Sequence, residues 1–303
     1  MKDHQEIRGD SNKVEMLGHK SSIYVVKFSK DGEYILSGSQ DRTIKLWNPY
    51  KGLLIKSYDV HSQDVLDLAM FQDNSKFASV GIDKQVYVID SIKGSIMRRF
   101  YGHTERINSV ACNELESVLV SGSYDCSVKI WDLKSQSKDP VQTLSGAKDS
   151  ITKVVVLSDK IISTSVDGRL RQYDIRMGQM QTDDYGFAIN GLDISPDEKY
   201  SIVSGLDNEI RLVENDTGTI VNNYHGLHVS KNYSMSLKYT NKLDGFFTTS
   251  ENCNVVYYDI MNPQKNKIYK GHNKSSSGLD VHPLKNNMIV TAGHDAKIIL
   301  WNV

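Results

Sequence analysis

Cysteine, proline and tryptophan are scarce in this chain: three, five and three residues among 303. Three cysteines (Cys112, Cys126 and Cys253) are too few for a disulfide framework, and they show no metal-type spacing. They read as small buried residues in a reducing compartment, either cytosol or nucleus. Charge of either sign is not in excess, with 36 basic against 37 acidic residues. A phosphate backbone or an anionic membrane would leave a basic footprint, and there is none, so direct nucleic-acid binding is not expected. No apolar run approaches the roughly 18 residues of a membrane span. The first residues, Met1-Lys2-Asp3-His4-Gln5, lack the apolar stretch of a secretory signal. Residues 1–11 are polar and patternless and read as a flexible tail.

What the chain has instead is one plan repeated. Residues 102–132 show it most plainly. Gly102-His103 opens, Ile107 to Cys112 alternates, and a polar break leads to Val118-Leu119-Val120-Ser121. Gly122-Ser123-Tyr124-Asp125 then turns into Val128-Lys129-Ile130-Trp131-Asp132. Each piece has the length and punctuation of a strand of about five residues. The aspartate of the turn recurs as Asp41, Asp83, Asp125, Asp167, Asp207, Asn252 (in place of aspartate) and Asp295, at intervals of 42, 42, 42, 40, 45 and 43 residues. The closing pairs keep step, from Trp47-Asn48 to Trp301-Asn302. Length alone suggests roughly two domains of about 150 residues. A repeat array grows by addition, so 12–303 is expected to be one domain of seven units.

A period of about 40–45 residues with a Gly-His opening and a Trp-Asp close resembles the WD-repeat family. The resemblance implies an all-β, seven-bladed β-propeller whose blades are four-stranded antiparallel sheets. The last unit stops at Val303, one strand short, while a spare strand-like piece, Lys13 to Leu17, precedes the first Gly-His. The N-terminal strand is therefore expected to close the last blade and remove an open sheet edge.

Three units carry matched polar sets: His19, Ser37, Asp41 and Trp47; His103, Ser121, Asp125 and Trp131; His272, Thr291, Asp295 and Trp301. Serine, histidine and aspartate together suggest catalytic triads, which are recognised by geometry and not by order. Recurrence argues for structure, since an enzyme needs one nucleophile and not three. The resemblance implies a hydrogen-bonded chain from indole to hydroxyl to imidazole to carboxylate, and the donor and acceptor inventory allows it. The other units are degraded. Ile89 replaces tryptophan in the second. Ala147 and Tyr173 stand in the fourth, Val203 and Val213 in the fifth, Asn252 and Tyr258 in the sixth. Strand boundaries are least defined in the fifth and sixth, where residues 222–233 read as a longer loop.

The resemblance also implies a partner-binding face around the central channel. The residue before the turn aspartate, and the third and fifth after the histidine, point to it. These offsets select Tyr24, Gln40, Asp64, Ile82, Arg106, Asn108, Tyr124 and His294, with the apolar Val166 and Leu206 further round. Aromatics and arginine among them are the types enriched at interface hot spots.

Arg169, Arg171 and Arg176 crowd the last strand of the fourth unit. Arg169 and Arg171 share a face of that strand, where they could pair with carboxylates of a neighbouring blade. Tyr173-Asp174-Ile175-Arg176 also resembles the box by which some family members join cullin-type ubiquitin ligases, which makes Arg169 and Arg176 candidate contacts.

Other stretches look like a group of WD-repeat scaffolds that organise mitogen-activated protein kinase cascades and accompany spliceosomal complexes. They are Lys45-Leu46-Trp47-Asn48-Pro49, Pro140-Val141-Gln142-Thr143-Leu144 and Arg176-Met177-Gly178-Gln179. The implied function is a non-enzymatic adaptor, monomeric by itself, needing no cofactor, with kinase-cascade members or spliceosomal components as partners. An enzymatic propeller is the competing class, but Asp64, Glu251 and His294 sit on separate units with no recurring ligand spacing.

Overall fold

The computed structural model describes residues 6–7, 13–232 and 234–303. Apart from one short 3-10 turn, Pro263–Lys265, the regular structure is strand, arranged as seven sheets around an axis: a seven-bladed β-propeller. The first blade shows why. Ile23–Phe28 is rich in β-branched and aromatic residues, which suit a pleated, half-buried surface. At the turn that follows, Gly32 takes φ +74 with the His282 ring so close that a Cβ would collide with it. Ile35–Ser39, Ile44–Asn48 and Leu53–Tyr58 then run antiparallel outward in order.

The inner strands of the seven blades are Ile23–Phe28, Val65–Met70, Ile107–Cys112, Ile151–Val156, Ile189–Ile194, Leu237–Tyr239 and Ser276–Val281. Each lies beside the next, and the last returns to the first. Closure comes from the chain's own start. Lys13–Leu17 pairs antiparallel with Lys297–Asn302, Lys13 opposite Trp301 and Leu17 opposite Lys297. Met16, Ile298 and Leu300 of this seventh blade share one buried cluster with Ile23, Val26, Phe28 and Trp47 of the first. The seam is packed like the other blade interfaces.

Of the segment read as a tail, Glu6–Ile7 lies parallel to Lys267–Lys270 and adds a fifth strand to the sixth blade. The rest of that segment falls outside the described residues. In the stretch read as a long loop, the fifth blade's outer strand ends at Tyr224 and the sixth begins only at Leu237. Tyr233 itself is outside the described residues.

One irregularity recurs. In six blades the register between the first two strands shifts after the inner strand's first residue, leaving Tyr24, Leu66, Asn108, Thr152, Asn190 and Ser277 outside the ladder. A bulge re-aims the side chain it frees. All six line the central cavity.

Candidate functional site

The upper face is the end of the channel where the Gly-His loops and turn aspartates lie. What holds it must be separated from what it presents. In the first blade the Trp47 indole donates to Ser37 Oγ at 2.8 Å, Ser37 meets His19 Nε2 at 2.7 Å, and His19 Nδ1 meets Asp41 at 2.8 Å. The third blade repeats this with Trp131, Ser121, His103 and Asp125, every distance 2.8 Å. The seventh uses Trp301, Thr291, His272 and Asp295. The second keeps His61, Ser79 and Asp83 without an indole. Burial alone would raise the Asp41 and Asp125 carboxyls. Hydrogen bonds from His19 and Thr43 on one, and from His103 and Ser127 on the other, hold both well below the usual carboxylate range. Burial pushes His103 down, against Asp125. These serines are fully buried, so no hydroxyl is offered to a substrate.

The degraded blades are repaired by other means. In the fourth, where Ala147 stands for histidine, Arg171 reaches back to its own turn aspartate, donating to the two Asp167 oxygens at 3.2 and 2.6 Å. Arg211 does the same to Asp207 in the fifth, again at 3.2 and 2.6 Å. In the sixth, His228 Nδ1 meets Tyr258 Oη at 2.8 Å. The expected pairing of Arg171 across to a neighbouring blade does not form, because the four-residue spacing back to Asp167 is within the guanidinium's reach.

A constant backbone bond positions the upper face. In blades one, two, three and seven the residue before the turn aspartate donates its N–H to the carbonyl of the third residue after the histidine, as in Tyr124 to Arg106 at 2.9 Å, Ile82 to Asp64 at 3.0 Å and His294 to Ser275 at 2.9 Å. The Arg106 guanidinium accordingly sits 4.7 Å over the Tyr124 ring, which is 49% exposed. Ile82, Arg106 and Tyr124 line one hollow of about 410 Å³ between blades two and three, with Gln63, Lys84 and Glu105 on its rim. At the first blade the Tyr24 ring meets His294 edge-on at 5.7 Å, and its hydroxyl lies 3.5 Å from Asp64. Asp64 and His294 are thus brought into one row through Tyr24, closer than separate units suggested, though histidine and carboxylate do not pair in it. Glu251 is elsewhere, accepting the Lys231 and Asn232 amides. Gln40 accepts from Ser21 at 2.6 Å, and Asn108 donates to the Ile151 carbonyl at 2.7 Å.

Below the mouth, a cavity of about 720 Å³ is lined by the inner strands. Charge alternates around it: Lys27, Asp67, then Lys153, Asp193, Lys238 and Asp280. They do not form one ring: Asp67 and Lys153, with Ser109 between them, are the third residues of their strands, whereas Lys27, Asp193 and Asp280 are the fifth. Ser109 donates to Asp67 at 2.9 Å, and Lys153 reaches past it to the same oxygen at 2.7 Å. Lys238 bonds Asp193 at 2.6 Å, and Asp280 accepts the Phe28 amide at 2.8 Å. Burial disfavours the Lys238 ammonium, but Asp193, joined by Asp280 and Asp67, more than offsets this and holds it up at about 12. The channel is lined by ties between blades.

Two candidates lie away from the mouth. Arg169 donates to Asp184 at 2.9 Å, and Arg176, 75% exposed on its side chain, pairs with Asp159 at 2.7 Å beyond the other end of the same strand. They form no common site. The cysteines read as buried are partly exposed and unpaired, Cys126 and Cys253 each in a left-handed turn position. Among the described residues no helix is long and apolar enough to cross a membrane, and no histidine, cysteine or carboxylate cluster could hold a metal.

The family described as WD domain, G-beta repeat matches residues 11–48, 52–90, 94–132 and 263–302. The chain belongs to the WD-repeat family. The matched WD repeats cover the three blades with a full indole chain and the second, while the arginine-repaired blades lie outside the match. The chain is 33% identical to the WD repeat domain-containing protein 83 homolog of Dictyostelium discoideum, over 96% of this chain and 97% of that one. It is 38% identical to the WD repeat domain-containing protein 83 of Rattus norvegicus, and equally to that of Homo sapiens. Each match covers 80% of this chain and 76% of the relative. WD-repeat propellers generally act as protein-interaction scaffolds, and no enzyme family is indicated.

The sequence reading missed the arginine ties and the bulge. The first had a signal, Asp-x-x-x-Arg in the two units that lack the opening histidine. The second had none, because a register shift is a property of the paired strands.

Proposed function

We propose that this chain is a non-enzymatic scaffold that holds a partner protein on the upper face of blades one to three. The observation that carries the reading is Arg106 lying over the exposed Tyr124 beside Ile82, in a hollow that opens at that face. A planar cation on an aromatic, next to an apolar floor, is the composition of an interface hot spot. These side chains take no part in the hydrogen-bonded chains that hold the blades, so the protein has no structural need of them.

The partners we propose are members of a mitogen-activated protein kinase cascade or spliceosomal components, and the compartment is cytosol or nucleus. The stretches noted in the sequence support this, and the balanced charge favours protein over nucleic acid. Affinity purification with quantitative mass spectrometry tests it. The expected result is recovery of cascade kinases or splicing factors. Recovery of neither, or turnover of a substrate abolished by Asp64→Ala, contradicts it.

A further inference from the structure

The outermost strand of a blade is an open edge, which proteins normally blunt with charge, proline or a covering element. The first blade does so only with Lys56, toward the end of its outer strand. Leu53–Tyr58 pairs on one side only, and Leu53, Leu54 and Ile55 are 57%, 44% and 50% exposed in an unbroken run. The second blade continues the apolar surface with exposed Ile92, Ile96 and Met97. The two are adjacent, since Lys56 donates to the Ile92 carbonyl and Tyr58 Oη to the Ser91 carbonyl at 2.6 Å. The third blade presents Gln142 and Thr143 at its outer strand. Adjoining exposed apolar side chains of this number mark an interaction site.

The molecule itself shows what such an edge accepts. At the sixth blade Glu6–Ile7 runs parallel to Lys267–Lys270 as a fifth strand. We propose that the first blade takes a fifth strand from a partner protein: an extended segment with apolar residues at alternate positions and acidic residues at its ends. Main-chain hydrogen bonds supply affinity, and the apolar run supplies specificity. The ends are acidic because Lys51 and Lys56 bracket the run. A second copy of the same edge would set a single carboxylate, Asp59, against the two lysines. This edge is separate from the upper face, and its partner need not be the one bound there.

The probe is a displayed library of random linear peptides selected on the full-length protein. Enriched peptides are expected to alternate apolar residues between acidic ends. Their affinity should fall roughly tenfold or more with Leu54→Asp or Ile55→Asp, and stay unchanged with Arg106→Ala/Tyr124→Ala. Lys56→Glu should weaken acid-ended peptides and admit basic-ended ones. Two variants with wild-type melting curves keep misfolding from deciding the outcome. The proposal is overturned by selected peptides that bind the Leu54→Asp and Ile55→Asp proteins as well as wild type. It is also overturned by failure to enrich any peptide, or by a wild-type dimer that Leu54→Asp dissociates, which would make a second copy the occupant.

Discussion

Arg171 donates to both carboxylate oxygens of Asp167, at 3.2 and 2.6 Å, in the place where the third blade sets His103 on Asp125. The blade without its histidine keeps its turn anchored from the opposite side, by a strand residue reaching back.

This relationship sets an order of stabilities. Arg171 is almost wholly buried, so Arg171→Ala strands a shielded carboxylate and should cost about 3–5 kcal/mol in denaturant unfolding. Arg211 and Asp207 make the same bonds partly in solvent, where pairing is worth less. Arg211→Ala should therefore cost clearly less. Arg171→Lys should restore only part, because an ammonium cannot bond both oxygens as a fork does. Equal costs for the two alanine variants would contradict this account.

Removing Asp125 should unfold the third blade's support. His103 Nδ1 and the Thr104 amide lose their acceptor, so Asp125→Ala should cost about 2–4 kcal/mol. Its neighbour Tyr124 contributes only an exposed ring, and Tyr124→Ala should lie within about 0.5 kcal/mol of wild type. Melting curves of the two variants read the difference.

Two pH steps are expected. Burial pushes His228 down to about 4, and its Nε2 has no partner among the described residues. The folded state then binds fewer protons than the unfolded one, whose imidazole titrates near about 6.5. Stability from this group is complete above about pH 6.5 and falls as pH drops toward about 4, by on the order of 3 kcal/mol. His103, also lowered, acts in the same direction. A second loss begins below about pH 4, where the depressed Asp41, Asp125 and Asp295 carboxyls must protonate. His228→Gln should flatten the upper step and leave the lower one, as read by melting temperature against pH.

Asp67 joins three blades, taking Ser109 from the third and Lys153 from the fourth. Asp67→Ala should cost about 3–5 kcal/mol, since it leaves the Lys153 ammonium unpaired in the channel. Asp67→Ala/Lys153→Met should recover much of that loss, because the orphaned charge goes with it. A double variant as unstable as the single one would show that the Ser109 bond, and not the ion pair, carries the tie.

The architecture was legible because a period is a one-dimensional signal. The spacing of Asp41, Asp83 and Asp125 counts blades, and the strand-like piece before Gly18-His19 is the one that pairs with Lys297–Asn302. The site was legible only in part. Offsets from the histidine and from the turn aspartate selected Arg106 and Tyr124, two positions that a recurring backbone bond ties together. The channel charges follow no single offset in the repeat: Asp67 and Lys153 are the third residues of their inner strands, Lys27, Asp193 and Asp280 the fifth. Asp67 in Val65-Leu66-Asp67-Leu68 looks like a lone charge until Lys153, 86 residues on, is placed beside it.

The central claim is that one set of residues holds the blades and another meets the partner. The direct measurement is partner recovery by quantitative affinity purification with the Arg106→Ala/Tyr124→Ala protein, against wild type at equal expression. We predict loss of one or more partners with an unchanged melting temperature. Full recovery of every partner, or a melting temperature lowered as far as Asp125→Ala lowers it, would contradict the division.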